Sequence, residues 1–140
     1  MSEQVTVEAF EHGIEGLNNI EDRSAYYDMY VNEGLELPGS SAHNKESLVE
    51  MYKTVFAGLP DFQLEVKKRM IEDDTVSIVY RWEATHEGEL FGHEPTGETI
   101  VLDNGMTWMR FEDGQVVERW VPPGTMLYIE EQVLQAAEED

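Results

Sequence analysis

His86 is the residue of this sequence whose position points most directly to chemistry. It ends the segment Thr75 to His86, in which every second residue is apolar. Because side chains alternate between the two faces of a strand, His86 shares a face with five large or small apolar residues: Val76, Ile78, Tyr80, Trp82 and Ala84. An imidazole there needs a hydrogen-bond partner or a ligand, and it can act as a general acid or base near neutral pH. A hydrogen-bonded structural histidine is an equally good interpretation.

Two later segments repeat this mixture of large aromatic residues and a few polar groups. In Glu98 to Phe111, strict alternation puts six residues on one face: Ile100, Leu102, Asn104, Met106, Trp108 and Arg110. In Gln115 to Val121, it groups three more: Val116, Glu118 and Trp120. If these faces meet, they enclose an apolar pocket with a few placed polar atoms, as small-molecule sites do. The alternative is an ordinary core in which the three tryptophans simply fill space.

The predicted pocket gives these residues specific roles. Six side chains are expected to line the pocket and contact a small apolar molecule: Tyr30, Tyr80, Trp82, Asn104, Trp108 and Trp120. His86 is the expected acid–base group. Glu118 is the expected second catalytic group, because desolvation of a buried carboxylate raises its pKa and makes it a base.

Other kinds of catalytic chemistry lack the residues they need. The sequence has no cysteine, no nucleophile elbow, no phosphate loop and no dinucleotide-binding glycine motif. A metal site with two histidines and a carboxylate could be drawn from five neighbouring residues, but their spacing matches no strong motif: His86, Glu87, Glu89, His93 and Glu94. No cofactor and no metal are therefore expected, and any reaction would be acid–base catalysis on a bound molecule.

The order of the predicted elements indicates an α+β fold. Apolar residues at helical spacing predict three helices before the strands and one after them: Val5–Asn19, Glu21–Tyr26, Lys45–Ala57 with Asn44 as its cap, and Thr125–Glu138. A short strand pair is predicted around residues 29–31 and 35–37. Four longer strands are predicted at Phe62–Ile71, Thr75–His86, Glu98–Phe111 and Gln115–Val121. Long antiparallel strands must twist, so the helices are expected to cover one face of a strongly curved sheet that forms a cone.

The charge of the chain limits its partners and its surroundings. Thirty Asp and Glu residues against nine Lys and Arg residues give a net charge of −21 over 140 residues. That charge disfavours binding to nucleic acid or to an anionic membrane. Because concentrated salt screens self-repulsion, the composition predicts a halophilic protein. A single domain over residues 1–140 is expected, and the lack of a membrane span or signal peptide predicts a cytoplasmic location.

Four motifs, in the same order along the chain, resemble the SnoaL-like polyketide cyclase family. They are FAGLPDF at residues 56–62, RWEATHEGE at 81–89, GHEPTG at 92–97 and DGQVVERW at 113–120. The resemblance extends from residue 6 to residue 135. It implies the cone-shaped fold of nuclear-transport-factor-like proteins, often as a homodimer.

The same resemblance implies a reaction and its residues. Members of the family close rings by an intramolecular aldol reaction, in which an Asp shortly after the tryptophan of the last strand takes a proton from carbon. His86 matches the active-site histidine of the family. Gly124 stands at the position that matches the catalytic Asp, and Val121 offers no carboxylate either.

Two functional interpretations therefore stay open. The first is a cofactor-independent cyclase, isomerase or hydratase in which His86 transfers protons. The second is a non-catalytic domain that holds an apolar metabolite or forms a homodimer through its exposed sheet face. The absence of the expected Asp favours the second interpretation.

Overall fold

Helices precede and follow a continuous run of strands in the computed structural model, which describes residues 2–38, 42, 44–90, 92–122 and 125–139. The helices are α1 (Ser2–Leu17), α2 (Ser24–Tyr27), α3 (Lys45–Gly58) and α4 (Thr125–Glu139). The strands are β1 (Gln63–Glu72), β2 (Thr75–Thr85), β3 (Thr99–Glu112) and β4 (Gln115–Trp120). The predicted α+β class is confirmed, and each predicted helix and long strand is present with slightly different ends.

The predicted short strand pair around residues 29–31 and 35–37 is wrong. Asp28–Tyr30 forms a 3-10 turn, and Glu36 makes one isolated parallel bridge to Glu118. Met29 and Tyr30 are both buried. Consecutive residues of a strand point to opposite faces, so two adjacent side chains that enter the same core require a helical turn instead.

The helices are held by local features that the sequence encodes. At the start of α3, Asn44 Oδ1 accepts from the backbone N–H of Ser47 at 2.9 Å, and Ser47 Oγ accepts from the N–H of Asn44 at 3.1 Å. This reciprocal capping box satisfies two backbone donors that a helix start leaves unpaired. In α1, a Cβ at Gly16 would lie only 2.6 Å from Ala25 Cβ, so the glycine allows α2 to pack directly on α1.

One antiparallel sheet with the strand order β1-β2-β3-β4 forms the other side of the core. The β1–β2 turn contains Asp73 at φ 54°, and the β3–β4 turn contains Asp113 and Gly114 at φ 52° and 78°. Positive φ angles give a tight turn whose twist matches that of the paired strands. Both turns lie where the sequence predicts them.

Three β-bulges interrupt the alternation of faces along the sheet. The extra residues are Lys67 in β1, one residue within 103–104 of β3, and Val117 in β4. Each extra residue exchanges the two faces for the part of the strand beyond it. Before the bulge of β3 the inward residues are even-numbered, as Ile100 is. After it they are odd-numbered: Gly105, Thr107, Met109 and Phe111.

The core lies between the inner face of this curved sheet and the helices. It is unusually aromatic where α2, the 3-10 turn and α3 meet β2: Tyr26, Tyr30, Phe56, Phe62, Tyr80 and Trp82 are all buried. None of the described helices combines the length and the apolar character required to cross a membrane.

Candidate active site

His86 directly follows β2 on the inner side of the sheet. Its side chain is fully buried. Its backbone N–H donates to the carbonyl of Glu98 at 2.9 Å, and its carbonyl accepts from the N–H of Gly97 at 2.9 Å. These two bonds fix the backbone of His86 on both sides. The predicted burial of His86 is confirmed, and its catalytic role stays a prediction.

Thr96 contacts one ring nitrogen of His86 with two different groups. The backbone N–H of Thr96 donates to Nδ1 at 3.3 Å, and Thr96 Oγ1 lies 3.1 Å from the same nitrogen. The N–H requires an unprotonated Nδ1 and therefore places the proton on Nε2. The hydroxyl can instead accept from a protonated Nδ1, which leaves a lone pair on Nε2. Thr96 thus provides a partner for both neutral tautomers.

The other ring nitrogen of His86 is left without a hydrogen bond. Nε2 is buried and has no hydrogen-bond partner in the described part of the chain. Burial lowers the pKa of His86 below its ordinary value of 6.5, and the Gly88 backbone offsets only part of this effect. The ring is therefore neutral near pH 7, and Nε2 can either donate or accept a proton.

Three of the six predicted ligand-binding residues lie in the interior as expected. Trp82 is buried with its ring centre 4.8 Å from that of Phe62. Tyr80 is buried against the backbone of Gly105, its partner across β2 and β3. Tyr30 is buried too, and it also reaches a surface cleft of about 270 Å³ that has five further lining residues: Val31, Lys45, Glu46, Val49 and Glu50.

The predicted interior positions of Asn104, Trp108 and Trp120 are wrong. Asn104 is exposed within the bulge of β3, and Trp108 lies beyond that bulge on the outer face. Trp120 pairs with Trp108 on the same outer face and is 49% exposed. In both strands the bulge reverses the face that strict alternation assigns to these residues.

Glu118 also lies on the outer face, so the prediction of a buried carboxylate with a raised pKa is wrong. Its Oε2 accepts from the indole N–H of Trp120, and its Oε1 accepts from Arg110 Nε at 3.2 Å. The bond from Trp120, followed by the contact with Arg110, lowers the pKa of Glu118. Glu118 is therefore an ionised surface carboxylate.

Arg119 takes the interior position that the sequence analysis gave to its neighbours. It is only 7% exposed, and its Nη2 donates to Tyr52 Oη. Its Cζ lies 5.6 Å from the ring centre of Tyr52 and 6.0 Å from that of Tyr30. The adjacent apolar pair Val116-Val117 was the signal that alternation fails here, because two consecutive buried residues in a strand indicate a bulge.

Four tyrosines surround the guanidinium of Arg119, and they are called the tyrosine cluster below: Tyr26, Tyr30, Tyr52 and Tyr80. Tyr30 Oη donates to Tyr26 Oη at 3.3 Å. Burial raises the pKa of Tyr30 to about 12 although Arg119 opposes the shift, and burial also raises the pKa of Tyr26 and Tyr80. Burial disfavours the charge of Arg119, but the tyrosines, Tyr52 foremost, hold its pKa above the ordinary range. Tyr26, Tyr30 and Tyr80 are therefore neutral near pH 7, and Arg119 is charged.

The described interior contains no acidic side chain. Its buried polar residues are Thr6, Arg23, His86, Thr107 and Arg119. Over the same described residues, no group of three His, Asp or Glu side chains is arranged to hold a metal ion. Among these side chains, His86 is therefore the one that can exchange a proton near neutral pH.

The sequence between α1 and α4 matches an established family. A sequence model of the SnoaL-like polyketide cyclases matches residues 18–126. The chain belongs to this family. No curated protein matches the sequence significantly.

Solved structures give the same fold for this SnoaL-like protein. It superposes on AclR, described as a "putative hydroxylase", from Streptomyces galilaeus with a TM-score of 0.78 and 25% identity over 98% of both chains. A "putative SnoaL-like polyketide cyclase" from Jannaschia sp. CCS1 superposes with a TM-score of 0.76 and 19% identity, over 94% of this chain and 93% of that one. TsrD from Streptomyces laurentii superposes with a TM-score of 0.74 and 14% identity, over 97% of this chain and 98% of TsrD. The predicted nuclear-transport-factor-like cone is thus confirmed.

Gly124, which the sequence analysis matched to the catalytic Asp of the SnoaL-like family, lies outside the described residues. The sequence itself has Val-Pro-Pro-Gly over residues 121–124 and no carboxylate there. The matches of His86 and Gly124 to the catalytic residues of the family stay predictions.

Proposed function

We propose that the chain is a cytoplasmic, cofactor-independent acid–base enzyme of the cyclase or isomerase type that acts on an apolar carbonyl compound. The observation that carries this proposal is the environment of His86, which is buried, neutral and bonded to Thr96 at one nitrogen, with the other nitrogen unpartnered. SnoaL-like proteins bind small molecules in a pocket. A buried atom without a partner in such a fold is a natural contact for the bound molecule.

The reaction would begin with removal of a proton from the carbon next to a carbonyl group. With Nδ1–H donating to Thr96 Oγ1, the lone pair of Nε2 takes the proton as the C–H bond breaks. The electron pair moves onto the carbonyl oxygen and gives an enolate, and the ring becomes an imidazolium. Return of the proton to a different carbon is an isomerisation. Attack of the enolate on a second carbonyl of the same molecule closes a ring, and the alkoxide that forms takes the proton back from the imidazolium of His86.

His86 has to act as the base in this proposal because other bases are missing or misplaced. Gly124 replaces the acid of the family, and Glu118 lies on the outer face with a lowered pKa. A neutral imidazole is the active form, so the rate should fall as pH decreases through the pKa of His86, which lies below 6.5. At higher pH the rate should be constant.

Hydrogen exchange at an activated carbon tests this proposal without knowledge of the natural substrate. The probe is 2-acetylnaphthalene in D2O, and the loss of its methyl proton signal is followed by NMR. His86→Gln should reduce the protein-catalysed rate by about two orders of magnitude or more, while the matched change His12→Gln at an exposed histidine should not alter it. Equal exchange rates in the two variants would remove His86 from the mechanism.

A homodimer is a second proposal, and the outer face of the sheet supports it. Four large apolar residues share this face. Trp108 lies beside Met106 on β3 and opposite Trp120 on β4, and Ser77 of β2 stands between Trp108 and Met70. Three of them belong to the most exposed apolar side chains described, with Met70 at 73%, Met106 at 52% and Trp120 at 49% exposure. A contiguous apolar patch of this kind is typical of an interface.

The charges of the outer face favour a second copy of the chain as its partner. The face carries four of the nine Lys and Arg residues, which are Lys67, Lys68, Arg81 and Arg110. It carries only six of the 30 acidic residues: Glu65, Glu72, Glu83, Asp103, Glu112 and Glu118. Two strongly acidic chains can therefore approach each other here with the least repulsion. Such a dimer would also serve the non-catalytic, ligand-binding alternative.

Light scattering after size exclusion in concentrated KCl tests the dimer. The wild-type chain should have the mass of a dimer, and Trp120→Glu should convert it to a monomer by placing a charge in an apolar interface. Ile20→Glu is the matched control, because Ile20 is 48% exposed but lies away from the sheet face. A monomeric wild type, or a dimeric Trp120→Glu variant, would contradict the proposal.

A further inference from the structure

Arg119 is a buried cation for which the described residues offer no carboxylate. Four other cations in this part of the chain have an acidic partner within 4.0 Å, namely Lys45, Arg69, Arg81 and Arg110. All four are far more exposed than Arg119. A buried charge without a counter-charge is costly, so its presence needs an explanation.

The other buried arginine, Arg23, shows how this chain satisfies a structural guanidinium. Its Nη1 donates to the carbonyl of Leu17 at 2.6 Å, and its Nη2 donates to the carbonyl of Pro60 at 3.1 Å. Its Cζ stacks 4.2 Å from the ring centre of Phe56. Arg119 differs from Arg23 because its partners are tyrosine side chains and not backbone carbonyls, and because its Nε has no acceptor in the described chain.

We propose that Arg119 and Tyr52 form a clamp for a carboxylate group on the bound molecule. Arg119 Nη2 donates to Tyr52 Oη, so the phenol proton of Tyr52 is left to donate elsewhere. Arg119 Nε is buried and has no acceptor within the described chain. A carboxylate can accept from a guanidinium and a hydroxyl together through short, charge-assisted bonds.

The surroundings of the clamp select an anion and not a neutral group. Burial keeps the phenols of Tyr26, Tyr30 and Tyr80 protonated at neutral pH, so none of them neutralises the charge of Arg119. Tyr30 lies with its ring centre 6.0 Å from the guanidinium carbon of Arg119 and also lines the surface cleft. The walls are aromatic, so the remainder of the ligand should be apolar.

The distance along β2 separates this carboxylate from the enolate proposed at His86. Tyr80 belongs to the cluster around Arg119, and His86 follows it by six residues, which is about 20 Å of extended strand. Arg119 therefore binds a second acidic group at the far end of the molecule. This inference depends on the proposed function in one respect, which is that the ligand binds in the interior. It narrows the substrate to an elongated apolar carbonyl compound with a terminal carboxylate.

A matched pair of aromatic ligands tests the clamp directly. Calorimetry compares 2-naphthoate with 2-naphthamide, which has the same shape and no charge. Wild-type protein should bind the acid about tenfold or more tightly than the amide, as expected for a charge-assisted pair. Arg119→Gln should abolish this preference, Tyr52→Phe should weaken it, and Arg110→Gln on the outer face should preserve it. Equal affinities in the wild type, absence of binding by either compound, or a full preference in Arg119→Gln would overturn the proposal.

Thermal stability provides a second readout that separates a ligand clamp from a structural arginine. If Arg119 serves a ligand, Arg119→Met removes a buried cation that has no carboxylate partner among the described residues, and the melting temperature of the ligand-free protein should change little. A structural arginine would give a large decrease, as we expect for Arg23→Met, and that result for Arg119 would overturn the proposal.

His86→Gln should lose the exchange reaction and keep the preference for 2-naphthoate, so that failure of the proposed reaction and failure of the clamp remain distinguishable.

Discussion

At the scale of single residues, the notable feature of the interior is two buried side-chain atoms that have no hydrogen-bond partner. Buried polar atoms in folded proteins are nearly always hydrogen-bonded. His86 Nε2 and Arg119 Nε are the two side-chain atoms that break this rule in the described structure. Both lie on the inner side of the sheet, His86 directly after β2 and Arg119 in β4, with β3 between them. The protein contacts His86 Nδ1 through Thr96, and Arg119 Nη2 donates to Tyr52. We propose that a bound molecule supplies both missing partners.

At the scale of elements, the bulges decide which side chains reach the interior. Without the extra residue at Val117, Arg119 would point outward and Glu118 inward. Without the bulge of β3, Trp108 would enter the core, and Gly105 would leave the position where it supports the ring of Tyr80. Arg119 therefore reaches the interior through a local irregularity of β4, whereas His86 reaches it through the regular alternation of β2.

The contact between Gly105 and Tyr80 gives a prediction at this scale. A Cβ on Gly105 would lie 2.3 Å from Tyr80 Cζ, so Gly105→Ala must displace the ring. We expect a loss of about 1–3 kcal/mol in the free energy of unfolding, as is usual for overpacked cores. The measurement is urea unfolding at constant high salt. Gly34→Ala at an exposed turn is the control and should change stability by less than about 0.5 kcal/mol; equal losses in both variants would show that Tyr80 is not fixed as described.

Local signals in the sequence were sufficient for the elements but not for the site. Asn44 with Ser47, the Asp113-Gly114 turn and the apolar alternation of Thr75 to His86 each determine structure within a few residues, so the helices, hairpins and the burial of His86 were predictable. The interior role of Arg119 depends on the register between β3 and β4, which is a property of two strands together. The alternation of side chains along a single strand does not reveal this register unless an apolar pair such as Val116-Val117 is recognised as a bulge.

At the scale of the whole molecule, the negative charge is dispersed and largely unpaired. Five ion pairs join described side chains, and all of them involve partly or fully exposed groups. Exposed pairs contribute little stability. The net charge of −21 therefore acts mainly as self-repulsion over the surface. Screening extends over about 10 Å at 0.1 M salt but only about 3 Å at 1 M, so concentrated salt should relieve this repulsion.

Salt dependence of stability tests this view of the surface. The thermal midpoint should rise steeply from low to multimolar KCl. A variant with Glu15, Glu21 and Glu50 changed to Gln removes exposed charges, and its midpoint should be higher at low salt and depend less on KCl. Equal midpoints of the wild type at low and multimolar KCl would show that self-repulsion does not limit its stability.

The central claim is that the buried imidazole of His86 faces a bound molecule, and nitrogen NMR of labelled histidine rings tests it most directly. The chain has four histidines, and comparison with the His86→Gln variant assigns the signal. We predict a neutral ring that titrates below 6.5 and whose Nε2 resonance moves when 2-acetylnaphthalene is added, while that of exposed His12 does not. A ring that titrates at or above 6.5 and does not respond to the ligand would contradict the account.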